Sequence, residues 1–362
     1  MPQFLVKTTS HEYPAVVERG VLHNAASWIP TGSGKVFVIS TKDVWEAHGH
    51  FIDSALTNRE HAVLFFPGGE SNKRLGQVEA LCDAMVAGGA DRSSMVIAFG
   101  GGIVGDVGGF VAASFMRGVP VLQVPTTLLA QVDAATGGKT GVNLVGGKNL
   151  VGAFHQPHAV LVDPEVLATL PQREFVAGLY EVIKYGVIRT PWLFEMMETK
   201  REAILARDPA SVDALIAESV RIKAEVVTAD EKESDLRRIL NFGHTVGHAL
   251  EAETHYNRVL HGEAVGFGMI AAALVAERIG LLGESESMRI VETVNGYGPI
   301  PSVADVSAES LFARLFRDKK TIQGKVHFVL PDRIGSVVVK SGIDEAAVHW
   351  AIEQALVRTR QA

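Results

Sequence analysis

Three histidines, His244, His248 and His261, share the 21-residue stretch from Asn241 to His261. Neutral imidazole is a leading ligand for zinc and related metals. His244 and His248 stand at i and i+4, so on a helix they occupy one face a turn apart. His261 can serve as a third donor. A carboxylate from elsewhere in the chain would complete a catalytic set of three protein ligands with one coordination position open. A lone histidine is more often a hydrogen-bonded core residue, but three in a glycine-spaced apolar stretch point to a metal site.

A second constellation is rich in glycine. Thirteen of the 36 glycines fall between Gly100 and Gly152. Gly100-Gly-Gly-Ile-Val-Gly105 fits G-x-G-x-x-G, follows an apolar strand-like run and precedes an apolar helix-like one. Glycine lets the backbone approach a pyrophosphate, and a helix N-terminus supplies N–H donors and a positive dipole end. A tight turn under a packed helix would use the same residues. The Rossmann fingerprint also expects an acidic residue about 20 positions on, and positions 118–128 hold none. That argues against an ordinary Rossmann dehydrogenase. Beyond it, Pro125-Thr-Thr127 would end a strand with two hydroxyls. Asp133, Lys139, Lys148 and Asn149 follow among further glycines. Lysine is a point-charge phosphate binder and Asn can donate to a phosphate or hydroxyl, so this segment reads as an anion site.

The elements that must carry these groups fall into two kinds. Val36–Ser40, Ala62–Phe66, Ser94–Phe99 and Val119–Val124 are short apolar runs, as expected of strands buried on both faces of a parallel sheet. Helix-length segments such as Lys73–Ala87 separate them, so residues 1–170 read as an α/β domain with a parallel-rich sheet. Residues 171–362 read as mainly α-helical. Ser211–Val227, Leu236–Glu251 and Glu263–Ile279 show helical spacing. Val326–Leu330 reads as a strand, with a second at Ser336–Lys340. The division is expected near Pro164–Pro171.

Composition narrows the classes of function. The length of 362 residues allows two domains with substantial cores. A formal net charge of −7 argues against nonspecific nucleic-acid binding. Cys82 is the single cysteine, which rules out an intrachain disulfide and suits a reducing cytoplasm. The start, Met1-Pro-Gln-Phe-Leu-Val-Lys7, lacks the pattern of a secretory signal. No uncharged apolar run reaches about 18 residues, so no membrane span is expected.

Taken together, the motifs resemble the 3-dehydroquinate synthase family. The matching pieces are Gly100-Gly-Gly-Ile-Val-Gly-Asp106, Met116-Arg-Gly118, Pro125-Thr-Thr127, Gly137-Gly-Lys-Thr-Gly-Val-Asn143, Gly147-Lys-Asn149, Phe154-His-Gln-Pro157, Glu181-Val-Ile-Lys-Tyr185, Asn241-Phe-Gly-His244 and His261-Gly-Glu263. The resemblance implies an NAD- and zinc- or cobalt-dependent synthase acting on 3-deoxy-D-arabino-heptulosonate 7-phosphate. Such an enzyme oxidises C5 transiently, eliminates phosphate, reduces C5, opens the ring and closes a carbocycle by an aldol step.

By the same resemblance, Glu181, His244 and His261 match the metal ligands, and His248 a residue near the phosphate. Lys139, Lys148, Asn149, Lys184, Lys223, Arg237 and Asn241 match the substrate pocket. Gly101, Gly102, Gly105, Asp106, Thr126, Thr127 and Asp133 match the NAD side, as do Glu70 and Lys73 near the adenosine; Lys139 and Lys148 are assigned to the cofactor as well. Arg117 matches an arginine that reaches the neighbouring subunit's phosphate, which implies a homodimer. A late pocket lysine matches Lys319 or Lys320, with Lys320 preferred. The active site is expected in the cleft between the domains.

Two positions depart from the family pattern. Ser40-Thr41 stand where Asp or Asn is frequent, and Asp235 where Gly is usual, two residues before Arg237. The competing readings are a related cyclase for another sugar phosphate, a metal-dependent polyol dehydrogenase and a binding protein with a structural metal. The lysine cluster argues against the dehydrogenase, since a simple polyol carries no charge to balance. A structural zinc site is normally four-coordinate and often cysteine-rich, which one cysteine disfavours.

Overall fold

The computed structural model describes residues 2–9, 11–301, 303, 305–317 and 326–360. The chain divides into two units. Residues 1–171 with Ile216–Glu231 form the first, and Gln172–Leu215 with residues 232–362 the second.

The first unit contains strands β1 (Gln3–Lys7), β2 (Glu12–Val17), β3 (Val36–Ser40), β4 (His61–Phe65), β5 (Met95–Gly100), β6 (Val121–Pro125), β7 (Lys139–Leu144), β8 (Gly147–Phe154) and β9 (Ala159–Val162). Its helices include α1 (Lys42–Ala55), α2 (Leu75–Ala87) and α3 (Gly102–Ser114). Among the described residues, seven strands make one sheet in the order β1-β2-β9-β6-β5-β3-β4. All neighbours run parallel except β1 and β2. Every residue of β3, β5, β6 and β9 is buried, which explains their unbroken apolar character. Alternate side chains serve opposite faces. Val36 and Val38 join a core with Leu22, Ile97 and Phe99, while Phe37 and Ile39 pack with Val96, Val107 and Val111. Burying one such side chain contributes about 1.5–3 kcal/mol.

The strand order has a functional consequence. From β3 the chain moves outward to β4, then returns to place β5 on the other side of β3. The carboxyl ends of β3 and β5, at Ser40 and Gly100, therefore flank a switch point, where open α/β sheets bind ligands.

The glycine-rich segment read as an anion site contains a hairpin. β7 and β8 pair antiparallel with Gly141 opposite Gly152. A Cβ on Gly152 would lie 2.0 Å from the Thr140 carbonyl oxygen. Glycine here permits close strand approach rather than a flexible loop.

The second unit holds α4 (Gln172–Ile188), α5 (Pro191–Thr199), α6 (Arg201–Leu205), the start of α7 (Pro209–Ala229), α8 (His244–Glu253), α9 (His261–Arg278), α10 (Glu284–Gly296), α11 (Ala308–Arg317) and α12 (Glu345–Arg360). A hairpin of β10 (His327–Arg333) and β11 (Ser336–Ser341) accompanies them. α9 is buried continuously from Gly262 to Ala276, as expected of a helix apolar on all sides. α4, α8, α10 and α12 pack against it. No described helix is long and apolar enough to cross a membrane.

The helix expected over Leu236–Glu251 is two elements. A 3₁₀ turn spans Leu236–Asn241, and α8 begins at His244 after Gly243, whose φ is +81°. Gly243 also meets α9 backbone to backbone: a Cβ on Gly268 would sit 1.7 Å from the Gly243 oxygen. The left-handed residue breaks the helix and lets the two backbones touch.

Candidate active site

In the second unit, three helices bring the candidate metal donors together. α8 presents His244 at its first turn and His248 one turn later. His261 opens α9, and Glu181 lies midway along α4. Glu263 fixes the start of α9 by accepting a 2.7 Å hydrogen bond from the Leu260 N–H. The Arg173 guanidinium, from α4, forks onto the same carboxylate at 2.6 and 2.8 Å. One acidic side chain thus caps α9 and ties it to the helix that carries Glu181.

His244, His248 and His261 each offer a nitrogen within 4.8 Å of the others. Glu181 is completely buried, and its Oε1 lies 3.7 Å from His244 Nε2 and 3.6 Å from His261 Nε2. Its Oε2 is ion-paired with the equally buried Lys184. Oε1 has no hydrogen-bond partner, although a buried acceptor without one costs about 1–3 kcal/mol. Bond lengths of about 2.0–2.2 Å in a tetrahedral zinc site place ligand atoms roughly 3.4 Å apart. Glu181 Oε1 approaches that spacing to both His244 Nε2 and His261 Nε2, and the residues fit a divalent metal.

The His244 imidazole is held well below its ordinary pKa, first by burial and then by Lys184, His261 and His248. It is therefore neutral at physiological pH, the form that offers a lone pair. His248 belongs to the same cluster, its ring 5.3 Å from that of His244 and 5.8 Å from that of His261. The Glu181–Lys184 spacing, which on a surface would be an ordinary helix ion pair, is here an interior one. Arg237 is 1% exposed. Asn241 donates a 2.7 Å hydrogen bond to Glu233. Asp235 has a φ of −152°, outside the left-handed range, whereas Glu233 two residues earlier has a φ of +61°.

In the first unit, Gly100 ends β5 and Gly101 precedes α3, whose N-terminus no side chain caps. Cβ atoms on Gly101 and Gly102 would meet Thr127 at 3.1 Å and Ala134 at 3.3 Å. Gly105 lies so close to Gln123 that a Cβ there would come within 2.9 Å. These close approaches and free N–H groups fit a dinucleotide phosphate at a helix N-terminus. Thr126 is buried and donates its backbone N–H to the Gly100 oxygen.

A polar network stands beside that turn. The nearly buried Lys73 ammonium donates to Asp106 and to Asn149. Asn143 donates to the Glu70 carboxylate at 2.7 Å and accepts from the Asn149 N–H at 2.8 Å. Lys148 lies 3.8 Å from the same Glu70 oxygen. Burial raises the Asp106 pKa more than Lys73 lowers it. Separately, Lys223 pairs with Asp133 at 2.8 Å, within a wide π-type turn at Ala130–Ala134. Lys139 is exposed. Arg117 is exposed too, and follows Met116 in a left-handed pair with φ of +50° and +70°. Neither lysine at 319 and 320 is among the described residues.

The candidate residues thus gather into a network holding Glu70, Lys73, Asp106, Lys148 and Asn149, a pair of Asp133 and Lys223, and the cluster around Glu181. The sequence alone assigns no role to Asn143, Arg173, Glu233, Glu251 or Glu263. For Glu251 a signal existed: His244, His248 and Glu251 stand at i, i+4 and i+7, one stripe of a helix.

Comparison with known proteins extends these observations. The 2-deoxy-scyllo-inosose synthase solved with carbaglucose-6-phosphate, NAD⁺ and Co²⁺ superposes with a TM-score of 0.87 at 27% identity, covering 97% of this chain and 99% of its own. The 2-epi-5-epi-valiolone synthase of Streptomyces hygroscopicus subsp. jinggangensis 5008, with NAD⁺ and Zn²⁺, gives 0.87 at 28%, covering 98% of each. The fold is that of the sugar-phosphate cyclase class. Profiles of the 3-dehydroquinate synthase N-terminal and C-terminal regions match residues 63–177 and 178–321. The 3-dehydroquinate synthase of Solibacter usitatus is 59% identical over 98% of this chain and 100% of its own length. The chain belongs to the 3-dehydroquinate synthase family.

Proposed function

We propose that the chain converts 3-deoxy-D-arabino-heptulosonate 7-phosphate to 3-dehydroquinate and phosphate, in aromatic amino-acid biosynthesis. The observation that carries this reading is the 59% identity, over nearly the whole chain, to a protein of that name. When bound, NAD supplies a transient hydride acceptor, and a divalent zinc or cobalt ion supplies a Lewis acid for the substrate hydroxyls.

The chain's own residues do the rest. Glu181, His244 and His261 hold the metal, a role supported by the neutral His244 ring and the partnerless Glu181 oxygen. Lys184 orients Glu181 by engaging Oε2, which leaves Oε1 for the cation. Gly101, Gly102 and Gly105 admit the dinucleotide backbone, and Thr126, Thr127, Asp133, Asp106, Glu70 and Lys73 line that side. Lys139, Lys148, Asn149, Lys223, Arg237 and Asn241 bind the substrate's phosphate and carboxylate, with His248 beside the phosphate and Lys320 as a further cation. Cationic hydrogen bonds to such oxyanions are among the stronger polar contacts. Lys148 and Lys223 rest against Glu70 and Asp133, so substrate binding exchanges a protein carboxylate for a substrate oxyanion. The enzyme acts in the cytoplasm as a homodimer. Its exposed Arg117 serves the neighbouring copy's phosphate, a role its position on the surface supports.

The test incubates metal-loaded protein with NAD and the heptulosonate phosphate, following inorganic phosphate and NADH absorbance together. Phosphate release with dehydroquinate and no net NADH is the expected result. Steady NADH from a polyol, without phosphate release, would transfer the chain to the dehydrogenases. Silence with this substrate and turnover of another sugar phosphate would assign it to a neighbouring cyclase activity.

A further inference from the structure

We infer that Glu251 is a positioning residue for the metal centre, holding His261 in the tautomer that turns a lone pair toward Glu181. The inference rests on the reading of Glu181, His244 and His261 as ligands. Glu251 Oε2 lies 3.2 Å from His261 Nδ1, and the Glu251 side chain is only 4% exposed. On the opposite edge of the same ring, Nε2 lies 3.6 Å from the partnerless Glu181 Oε1.

Two carboxylates therefore compete for one imidazole proton. If Nε2 carried it, the ring would donate to Glu181, and both would be lost as donors to a cation. With Glu251 accepting at Nδ1, the proton stays on the far edge and Nε2 keeps its lone pair. His244 reaches the same state by another route. Its Nδ1 faces the Phe242 carbonyl at 3.1 Å, and a carbonyl can only accept. The difference follows burial. The His244 side chain is 11% exposed and enclosed by its neighbours, whereas His261 is 35% exposed at the first residue of its helix. The more exposed ring needs a charged anchor to fix both its orientation and its proton. Outer partners of this kind typically alter metal affinity by about 10–100-fold.

The experiment measures Co²⁺ affinity by chelator competition in the full-length wild type, Glu251→Gln, Glu251→Ala and His261→Ala, with thermal melts to verify folding. Glutamine retains an acceptor but not the charge. The expected order of affinity is wild type, then Glu251→Gln, then Glu251→Ala, the last weaker by about 10–100-fold. Nitrogen NMR of the metal-free protein should show the His261 proton on Nδ1 in the wild type, and on Nε2 in Glu251→Ala. An alanine variant within roughly twofold of wild type, while His261→Ala loses the ion, overturns the inference and leaves the ligand reading standing. Wild-type affinity in His261→Ala overturns that reading and the inference with it.

Discussion

The imidazole–carboxylate cluster of the helical unit and the lysine–carboxylate network of the sheet unit handle charge in opposite ways. In the network the carboxylates have protein partners: Asp106 has Lys73, Glu70 has Asn143 and Lys148, and Asp133 has Lys223. In the cluster one oxygen of a wholly buried carboxylate is left facing two imidazoles. The first arrangement pairs its charges internally. The second leaves a buried acceptor that a cation would satisfy. The proposed metal site and the proposed anion site are therefore distinguishable by experiment.

The largest effect should come from the cluster. His261→Ala is expected to lose the metal and to reduce turnover on the order of 10³-fold, since Lewis-acid stabilisation is worth several kcal/mol. NAD titration should remain unchanged, and full activity in the metal-free variant would break the contrast. Next, Lys73→Met should lower stability to urea by about 2 kcal/mol. Breaking a buried pair costs about 3–5 kcal/mol, and Asp106, whose side chain is 25% exposed, regains some solvation. Bound metal should be unaltered; its loss would mean that the two regions are not independent. Smallest is Arg117→Ala. Substrate KM should rise roughly tenfold through loss of one charge-assisted contact of about 1.5 kcal/mol, with metal content unchanged. An unaltered KM would remove Arg117 from phosphate binding.

The same contrast explains what the sequence discloses. β3 is legible to the residue, because a strand buried on both faces needs an unbroken apolar run. The histidine pair is legible because helical spacing alone places it on one face. The Gly141–Gly152 hairpin is not, because glycine required for backbone contact is indistinguishable in sequence from glycine required for a loop. Nor is the division of α7: its apolar period continues unchanged through position 216, where the chain returns to the first unit. Glu251 carries helical spacing to the histidines, yet its pairing with His261 depends on where α9 begins, and Glu263 and Arg173 set that start.

The contact between Gly243 and Gly268 has a meaning for anyone randomising this protein. A side-chain methyl at Gly268 would overlap a carbonyl at 1.7 Å, one at Gly247 would meet the Ala264 oxygen at 2.7 Å, and one at Gly262 the Ala177 oxygen at 1.8 Å. In a saturation library, positions around the imidazole–carboxylate cluster can be sampled broadly for new specificities. The glycines at 243, 247, 262 and 268 should return almost unchanged from any selection for soluble protein, because they set the separation of the helices on which every sampled side chain is mounted.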